Sequence, residues 1–304
     1  MSARVAIALD AGGTKLAGGL ARAGGELLVE ELRQTPQTAD GRDPGLRATL
    51  ALAADLAAEA GARGLTVVGI CAGLPEYVDA GGRLTSCDVL AWEAQPAELL
   101  APLVPGGRCV VEADVRCGAL AEGRFGAAAE LGTWLYVSLG TGLSSTLVVE
   151  RQPLRGARGE AIALGELDVP AAVEPVSSGN LEMYCSGEGV RRRYEAASGE
   201  DPGGALGVAQ RAGAGDALAA GTLRSAGRAL GRVLAGLVGL LDPEAVVLGG
   251  GLGTAPGLLR DELLDAYGRR AGHRPGAPPV LPAALGSRAG LVGAGLLALG
   301  AGTV

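Results

Sequence analysis

Asp10-Ala11-Gly12-Gly13-Thr14-Lys15 and Ser138-Leu139-Gly140-Thr141-Gly142 are two forms of one glycine-rich pattern. Each follows a short apolar run, Val5 to Leu9 in the first case and Trp134 to Val137 in the second. Runs of that length, rich in branched residues, read as buried strands. Glycines after a strand let backbone N–H groups approach an anion closely, because no Cβ stands in the way. Two such turns at two strand ends suit the two ends of a polyphosphate and point to a nucleotide-using enzyme.

Working outward, residues 5–9, 16–21 and 26–32 read as three short strands. Leu46, Leu50, Ala53, Ala54 and Ala57 keep a helical period that Gly61 would end. Residues 65–72 and 108–112 read as further strands, and residues 115–122 return to helical spacing. After strands at 134–139 and 145–150, Leu223, Gly227, Leu230, Val233, Leu234, Leu237 and Leu241 form one long apolar face. A strand at 245–248 then runs into Gly249-Gly250-Gly251. The order strand–strand–strand–helix–strand in both halves reads as an internal duplication of one α/β unit, with a cleft between the copies. The break is expected near Glu112. It separates a smaller α/β domain of residues 1–112, joined by a helix at about 290–304, from a larger one of residues 113–289.

At 304 residues the chain is long enough for two cores. Hydrophobic content of 48% against 19% charged excludes a disordered chain, and 3% aromatics makes the core aliphatic. A net charge of −7 offers no footprint for nucleic acid or an anionic membrane. The opening Met-Ser-Ala-Arg lacks the layout of a signal peptide, and the longest uncharged stretch, 289–304, is shorter than the roughly 20 residues of a membrane span. A cytoplasmic location is expected. The five scattered cysteines contain no Cys-x-x-Cys pair, so neither a disulfide framework nor a thiolate zinc site is suggested. Arg191-Arg192-Arg193 reads as a solvated face and His273 as part of a surface loop.

Asp10 stands just before the glycines, where a carboxylate repels phosphate unless a cation lies between them; Mg²⁺ held partly through water meets that demand. Its alternative is a turn-forming Asp bonded to its own backbone. Asp114 opens the helix that follows the 108–112 strand, and reads either as a general base taking a proton from an attacking hydroxyl or as an ordinary N-cap. Glu160 and Glu182 are candidates to accept hydrogen bonds from vicinal hydroxyls, or else are surface acids. Gly249-Gly250-Gly251 reads as a turn where backbone nears a planar ligand, without the spacing of a dinucleotide fingerprint.

Taken in order, these segments resemble the ROK family of sugar kinases, including its glucokinases. Asp10 to Lys15, with Gly12, Gly13 and Thr14, looks like the first phosphate motif, and Leu139-Gly140-Thr141-Gly142 like the second. Gly73-Leu74-Pro75-Glu76-Tyr77-Val78-Asp79 looks like the family's G-x-P-G-x-V-D segment beside the sugar. Glu112-Ala113-Asp114 looks like its E-N-D segment, which carries the catalytic Asp. Residues 156–160 and 179–182 look like the two sugar-binding glutamate segments, and 246–251 like the adenosine segment. The resemblance implies an α/β, actin-like (ribonuclease H-like) ATPase fold with two similar domains around a cleft. It also implies ATP and Mg²⁺ as cofactors, Asp114 as base, the 6-hydroxyl of a sugar as acceptor, and a homodimer.

The departures carry information. The family's G-E-I-G-H is Gly159-Glu160-Ala161-Ile162-Ala163 here, and its cysteine-rich zinc loop is replaced by residues 173–182, so no structural zinc is expected. The Asn before the catalytic Asp is Ala113. Losing that Asn and the His removes partners for sugar hydroxyls, which suggests a changed substrate. Asp88 stands near where the family has a sugar-binding Asn and would favour an amino group. A modified hexose such as the 3-amino sugar kanosamine, of the kind used in antibiotic biosynthesis, or a seven-carbon cyclitol fits these changes, and glucose remains the family's common acceptor. A catalytically silent sugar-binding regulator is the alternative. A repressor is disfavoured because nine residues before Asp10 are too few for a helix-turn-helix.

Overall fold

The computed structural model describes residues 3–36, 44–174, 179–273 and 275–301. The chain divides into two compact units: Met1–Glu130 with Val148–Ile162 and Ser287–Val304, and Leu131–Leu147 with Ala163–Gly286.

In the first unit β1 (Arg4–Ala11), β2 (Lys15–Ala21) and β3 (Leu27–Gln34) form an antiparallel meander. Helix α1 (Pro44–Ala62) leads to β4 (Thr66–Leu74), parallel to β1. Then come α2 (Pro96–Leu100), β5 (Arg108–Ala113), parallel to β4, and α3 (Asp114–Phe125). The sheet order is β3-β2-β1-β4-β5. Strand period sorts the side chains of β1 into two kinds. Val5, Ile7 and Leu9 join Leu46, Leu52 and Leu56 of α1 in one cluster, whereas Ala6 and Ala8 join Cys117 of α3 and Leu291 in another. Leu291 belongs to α10 (Ala289–Ala298), the helix expected near residue 290 and buried on almost every side. Residues 302–304 of that expected helix lie outside the described residues.

The apolar period of α1 continues past Gly61, which lies inside the helix. The stop comes from Gly64 at φ 65°, with Leu65 N–H donating to the Ala60 carbonyl at 2.9 Å, a left-handed cap that glycine adopts without strain.

The second sheet comprises β6 (Trp134–Leu139), β7 (Leu143–Val149), β8 (Gln152–Pro153), β9 (Val246–Gly249) and β10 (Val280–Pro282), with β8 and the end of β7 counted with the first unit. Its helices are α4 (Leu181–Cys185), α5 (Gly187–Ser198), α6 (Ala205–Gly213), α7 (Ala217–Leu241), α8 (Gly251–Thr254) and α9 (Leu258–Ala271). The sheet order is β10-β9-β6-β7-β8, with β9 parallel to both neighbours. Numbered within its own sheet, each half therefore has the strand order 3-2-1-4-5, and each glycine-rich turn joins its first strand to its second. The long apolar face of residues 223–241 is α7, pressed on α9 where Gly227 and Gly231 leave room for the Leu259 and Leu263 carbonyls.

The compact units do not part at Glu112. Helix α3 belongs to the first unit because it packs on α10 and on the ends of β4 and β5. The Arg191–Arg193 run is only partly a solvated face. Arg191 and Arg192 pair with Glu188, but Arg193 stacks over the Tyr184 ring at 3.5 Å and donates to Ser225 Oγ at 2.7 Å. His273 is exposed, as expected. All five cysteines are free thiols.

Candidate active site

Register brings the acidic residues of the first unit together. Asp10 on β1 lies opposite Gly73 on β4, and Gly73 lies opposite Glu112 on β5. These are the carboxyl ends of three adjacent parallel strands, where open α/β sheets form their ligand crevices. Asp114 follows at once as the first residue of α3, with the buried Ala113 in the N-cap position. Asp114 is therefore not the N-cap. Its Oδ1 accepts from the Val115 N–H at 2.5 Å. Gly73 packs closely here: a Cβ would lie in van der Waals contact with the Asp114 Cα at 3.6 Å and the Cys117 Sγ at 3.4 Å.

Both carboxylates resist ionisation. Burial raises Asp10 to about 6. Asp114 rises to about 7, first through burial, then through the negative charge of Asp10, while the Val115 N–H and Arg116 pull the other way. The Asp10 carboxylate has no hydrogen-bond or ion-pair partner among the described residues, so nothing there supports the reading of a turn-forming Asp. A Cβ on Gly290 of α10 would come within 2.6 Å of Asp10 Oδ2, so that helix closes in on the carboxylate.

The first phosphate turn is tight. Gly12 N–H donates to the Lys15 carbonyl at 2.8 Å, and Thr35 Oγ1 donates to the Gly12 carbonyl at 2.7 Å. Thr14 and Lys15 are exposed at its tip. Gly13 is crowded by Val89, whose Cγ1 stands 3.0 Å from where a Cβ would be.

Two groups that sequence reasoning did not single out organise the surroundings. Arg116 is buried at 1% exposure; its Nε donates to Glu112 Oε1 at 2.6 Å, Nη1 to the Gly159 carbonyl at 2.9 Å and Nη2 to the Val78 carbonyl at 2.8 Å. One guanidinium thereby ties together the 73–79, 112–114 and 156–160 segments. Arg155 pairs with the other oxygen of Glu112. Gly159, at φ 84°, sits so close to Val78 that a Cβ would meet its carbonyl at 2.1 Å.

The expected acceptor residues separate into different roles. Pro75 is half-buried, continuing from the end of β4. Glu76 is buried, and both its oxygens accept hydrogen bonds from residues 86–90 of the chain. Asp88, in that loop, is exposed. Glu160 is partly exposed and held in a two-pronged pair with Arg158, at 3.0 and 2.9 Å, which lowers its pKa.

In the second unit the Gly140–Gly142 turn is braced from several directions. Gly187 N–H donates to the Gly140 carbonyl at 2.8 Å, Glu188 N–H donates to the Thr141 carbonyl at 3.1 Å, and Leu143 N–H donates to Glu182 Oε1 at 2.8 Å. A Cβ on Gly142 would lie 2.6 Å from that oxygen and would push the Glu182 carboxylate aside. Gly249 abuts the Tyr136 hydroxyl, and Gly250 takes φ 76° with its missing Cβ 2.2 Å from the Leu139 carbonyl, so the third turn is built on close backbone approach. Asn180 caps α4 through the Met183 N–H, while residues 175–178 of the expected zinc-loop replacement lie outside the described residues. Among the described residues no group of three or more His, Cys, Asp or Glu is placed to hold a metal ion.

This arrangement matches known proteins along the whole chain. A ROK hexokinase from Thermus thermophilus is 31% identical, with a TM-score of 0.78 over 96% of this chain and 97% of that one. A ROK family glucokinase from Streptomyces griseus, solved with glucose and AMPPNP, is 29% identical, with a TM-score of 0.80 over 97% and 99%. In sequence, the glucokinase of Streptomyces coelicolor is 29% identical over 96% of each chain. The bifunctional enzyme NanE/NanK of Brucella suis is 31% identical over 96% of this chain, which spans 53% of that longer protein. The ROK family profile matches residues 6–301. The duplicated sheets, the paired glycine turns and the Asp10–Asp114 crevice thus belong to an actin-like ATPase fold, and the chain is a member of the ROK family.

Proposed function

We propose that the protein is a sugar kinase that transfers a phosphoryl group from ATP to the 6-hydroxyl of a hexose or modified hexose. The observation that carries this reading is Asp114, a half-buried carboxylate at the mouth of three parallel strands with its pKa raised to about 7. A base poised near the working pH removes the proton of an attacking hydroxyl most effectively. The rest of the task is positioning and charge stabilisation. We assign the Gly12–Lys15 and Gly140–Gly142 turns to the polyphosphate and Gly249–Gly251 to the adenosine. Glu160 and Glu182 are assigned to the acceptor hydroxyls. The glucokinase solved with glucose and AMPPNP supports both ligand classes.

The residues present fit a divalent cation. Asp10 offers a carboxylate whose pKa burial raises to about 6 and that has no ion-pair partner among the described residues. Mg²⁺ is commonly held by one or two carboxylates together with substrate phosphates. When bound it would neutralise charge on the transferring phosphoryl group. Asp10 would hold it, directly or through water, and its arrival would lower the pKa of both acids.

The acceptor is proposed to be an amino sugar such as kanosamine. The exposed Asp88 is available to a protonated amine, and Ala113 and Ala163 supply no side-chain partner for hydroxyls. A seven-carbon cyclitol is the second reading of the same losses. ADP release with Mg²⁺ and ATP across glucose, mannose, N-acetylglucosamine, glucosamine, kanosamine and a valiolone-type cyclitol tests both. Turnover led by an amino sugar supports the reading, turnover led by glucose overturns the specificity, and none anywhere favours a silent sugar-binding regulator. Sedimentation would test the homodimer that the resemblance implies.

A further inference from the structure

We propose that Glu76 is a positioning residue that holds the 86–90 loop in place for the acceptor, an inference that rests on the sugar-kinase reading. The G-x-P-G-x-V-D pattern that this segment resembles has glycine at this place. Here a carboxylate fills it, 3% exposed. Glu76 Oε1 accepts from the Val89 N–H at 2.7 Å and the Leu90 N–H at 2.6 Å. Oε2 accepts from the Asp88 N–H at 3.0 Å and from the Ser86 hydroxyl. Three successive backbone N–H groups converging on one anion form a nest, and the nest fixes the local backbone path.

The loop is secured on both sides. Ser86 Oγ accepts from the Tyr77 N–H at 2.9 Å, and Val78 bridges Leu84, so the chain leaves the 73–79 segment and returns zipped against it. Asp79 turns that excursion by accepting from the Gly81 and Arg83 N–H groups. On the far side Val89 rests in the space of the absent Gly13 Cβ, so the loop also leans on the first phosphate turn. The only acidic side chain inside the loop is Asp88, which stays exposed. A buried charge at residue 76 therefore sets where an exposed charge at residue 88 is presented. The Glu76 carboxylate spends both oxygens on the loop, so it acts on the acceptor through Asp88 and its neighbours rather than by direct contact.

Glu76→Gln keeps the shape but turns an amide N–H₂ toward N–H donors, which breaks the nest. The acceptor KM of the best substrate should rise about tenfold, because small displacements of positioning groups are costly. The melting temperature should also fall, because buried N–H donors lose their acceptor, while the KM for ATP should change less than that of the acceptor. Ser86→Ala should shift the acceptor KM in the same direction by less, and Glu76→Asp should recover part of the loss. Hydrogen exchange by mass spectrometry should show residues 88–90 losing protection in Glu76→Gln. An acceptor KM that stays put while those amides open would overturn the positioning role; protected amides in the variant would overturn the staple itself. If the wild type phosphorylates no sugar, the kinase reading fails, and the exchange result still decides whether Glu76 holds the loop.

Discussion

A carboxylate serves as a base only while ionised, and Asp114 is held near the midpoint of that change by burial and by the charge of Asp10. Without a bound cation Asp114 should therefore lose its charge as pH drops through about 7 and Asp10 as it drops through about 6, and saturating Mg²⁺ should move the acid-side loss of activity to lower pH. Asp114→Asn should cost roughly 10²- to 10⁴-fold in kcat, read by single-turnover transfer at pH 8. Stability should move the opposite way. A carboxyl whose folded pKa is raised binds its proton more tightly in the native state. Its contribution is full below its unfolded value near ~4 and is lost as pH rises through about 7. Asp114→Asn should thus melt higher than wild type at pH 8, with the gap shrinking toward pH 5 in thermal scans. A variant less stable than wild type at pH 8 would show that burial and repulsion do not dominate at this residue. Asp10 and Asp114 were legible in the sequence because each stands beside an unmistakable landmark, a glycine turn or a strand-to-helix junction. Arg116 was not, since an arginine in a helix reads as surface. Its burial follows from the Val78 and Gly159 carbonyls, which no local pattern brings together.

At the scale of elements, strands and glycine turns could be read wherever the apolar run was long enough to show a period. The two-residue β8 and the three-residue β10 fell below that length. The end of α1 was misplaced because Gly61 and Gly64 look alike in sequence, and only Gly64 takes the left-handed conformation. The resemblance of residues 73–79 to a sugar-side segment makes Glu76 look like a ligand, and local spacing gives no hint of the 86–90 loop that binds both its oxygens. Two predictions belong here. Arg116→Met leaves Glu112 with Arg155 and the Ala113 N–H and leaves three segments untied, and should cost about 3 kcal/mol in denaturant unfolding, the low end for breaking a buried pair. Gly250→Ala must move the third turn, since it meets both a positive φ and the Leu139 carbonyl, whereas Gly24→Ala meets nothing within 4 Å. The first should raise the KM for ATP severalfold and the second should leave it unchanged.

For the whole molecule, the sequence repeat and the shared strand order 3-2-1-4-5 describe the same fact at two levels. What differs between the copies is the filling. The first sheet carries alanines and glycines where α10 lies on it. A Cβ on Gly293 would be 1.8 Å from the Cys117 carbonyl, one on Gly295 2.3 Å from the Ala21 Cβ, and one on Gly69 2.2 Å from the Ala298 carbonyl. Gly293→Val has nowhere to go, because its contact is backbone rather than a flexible side chain. It should lower the denaturant midpoint more than any surface substitution and reduce soluble yield.

That close fit also sets a schedule. Residues 4–11 are made long before residues 289–298, the helix that packs on their alanine face. At ordinary rates of synthesis the interval is on the order of tens of seconds, during which the strand bearing Asp10 lacks that helix. The second unit's core can form in the meantime from its own helices. A chaperone that captures nascent chains would accordingly find exposed surface on that strand, and a ribosome stalled before residue 289 would present a chain whose Asp10 still lacks α10.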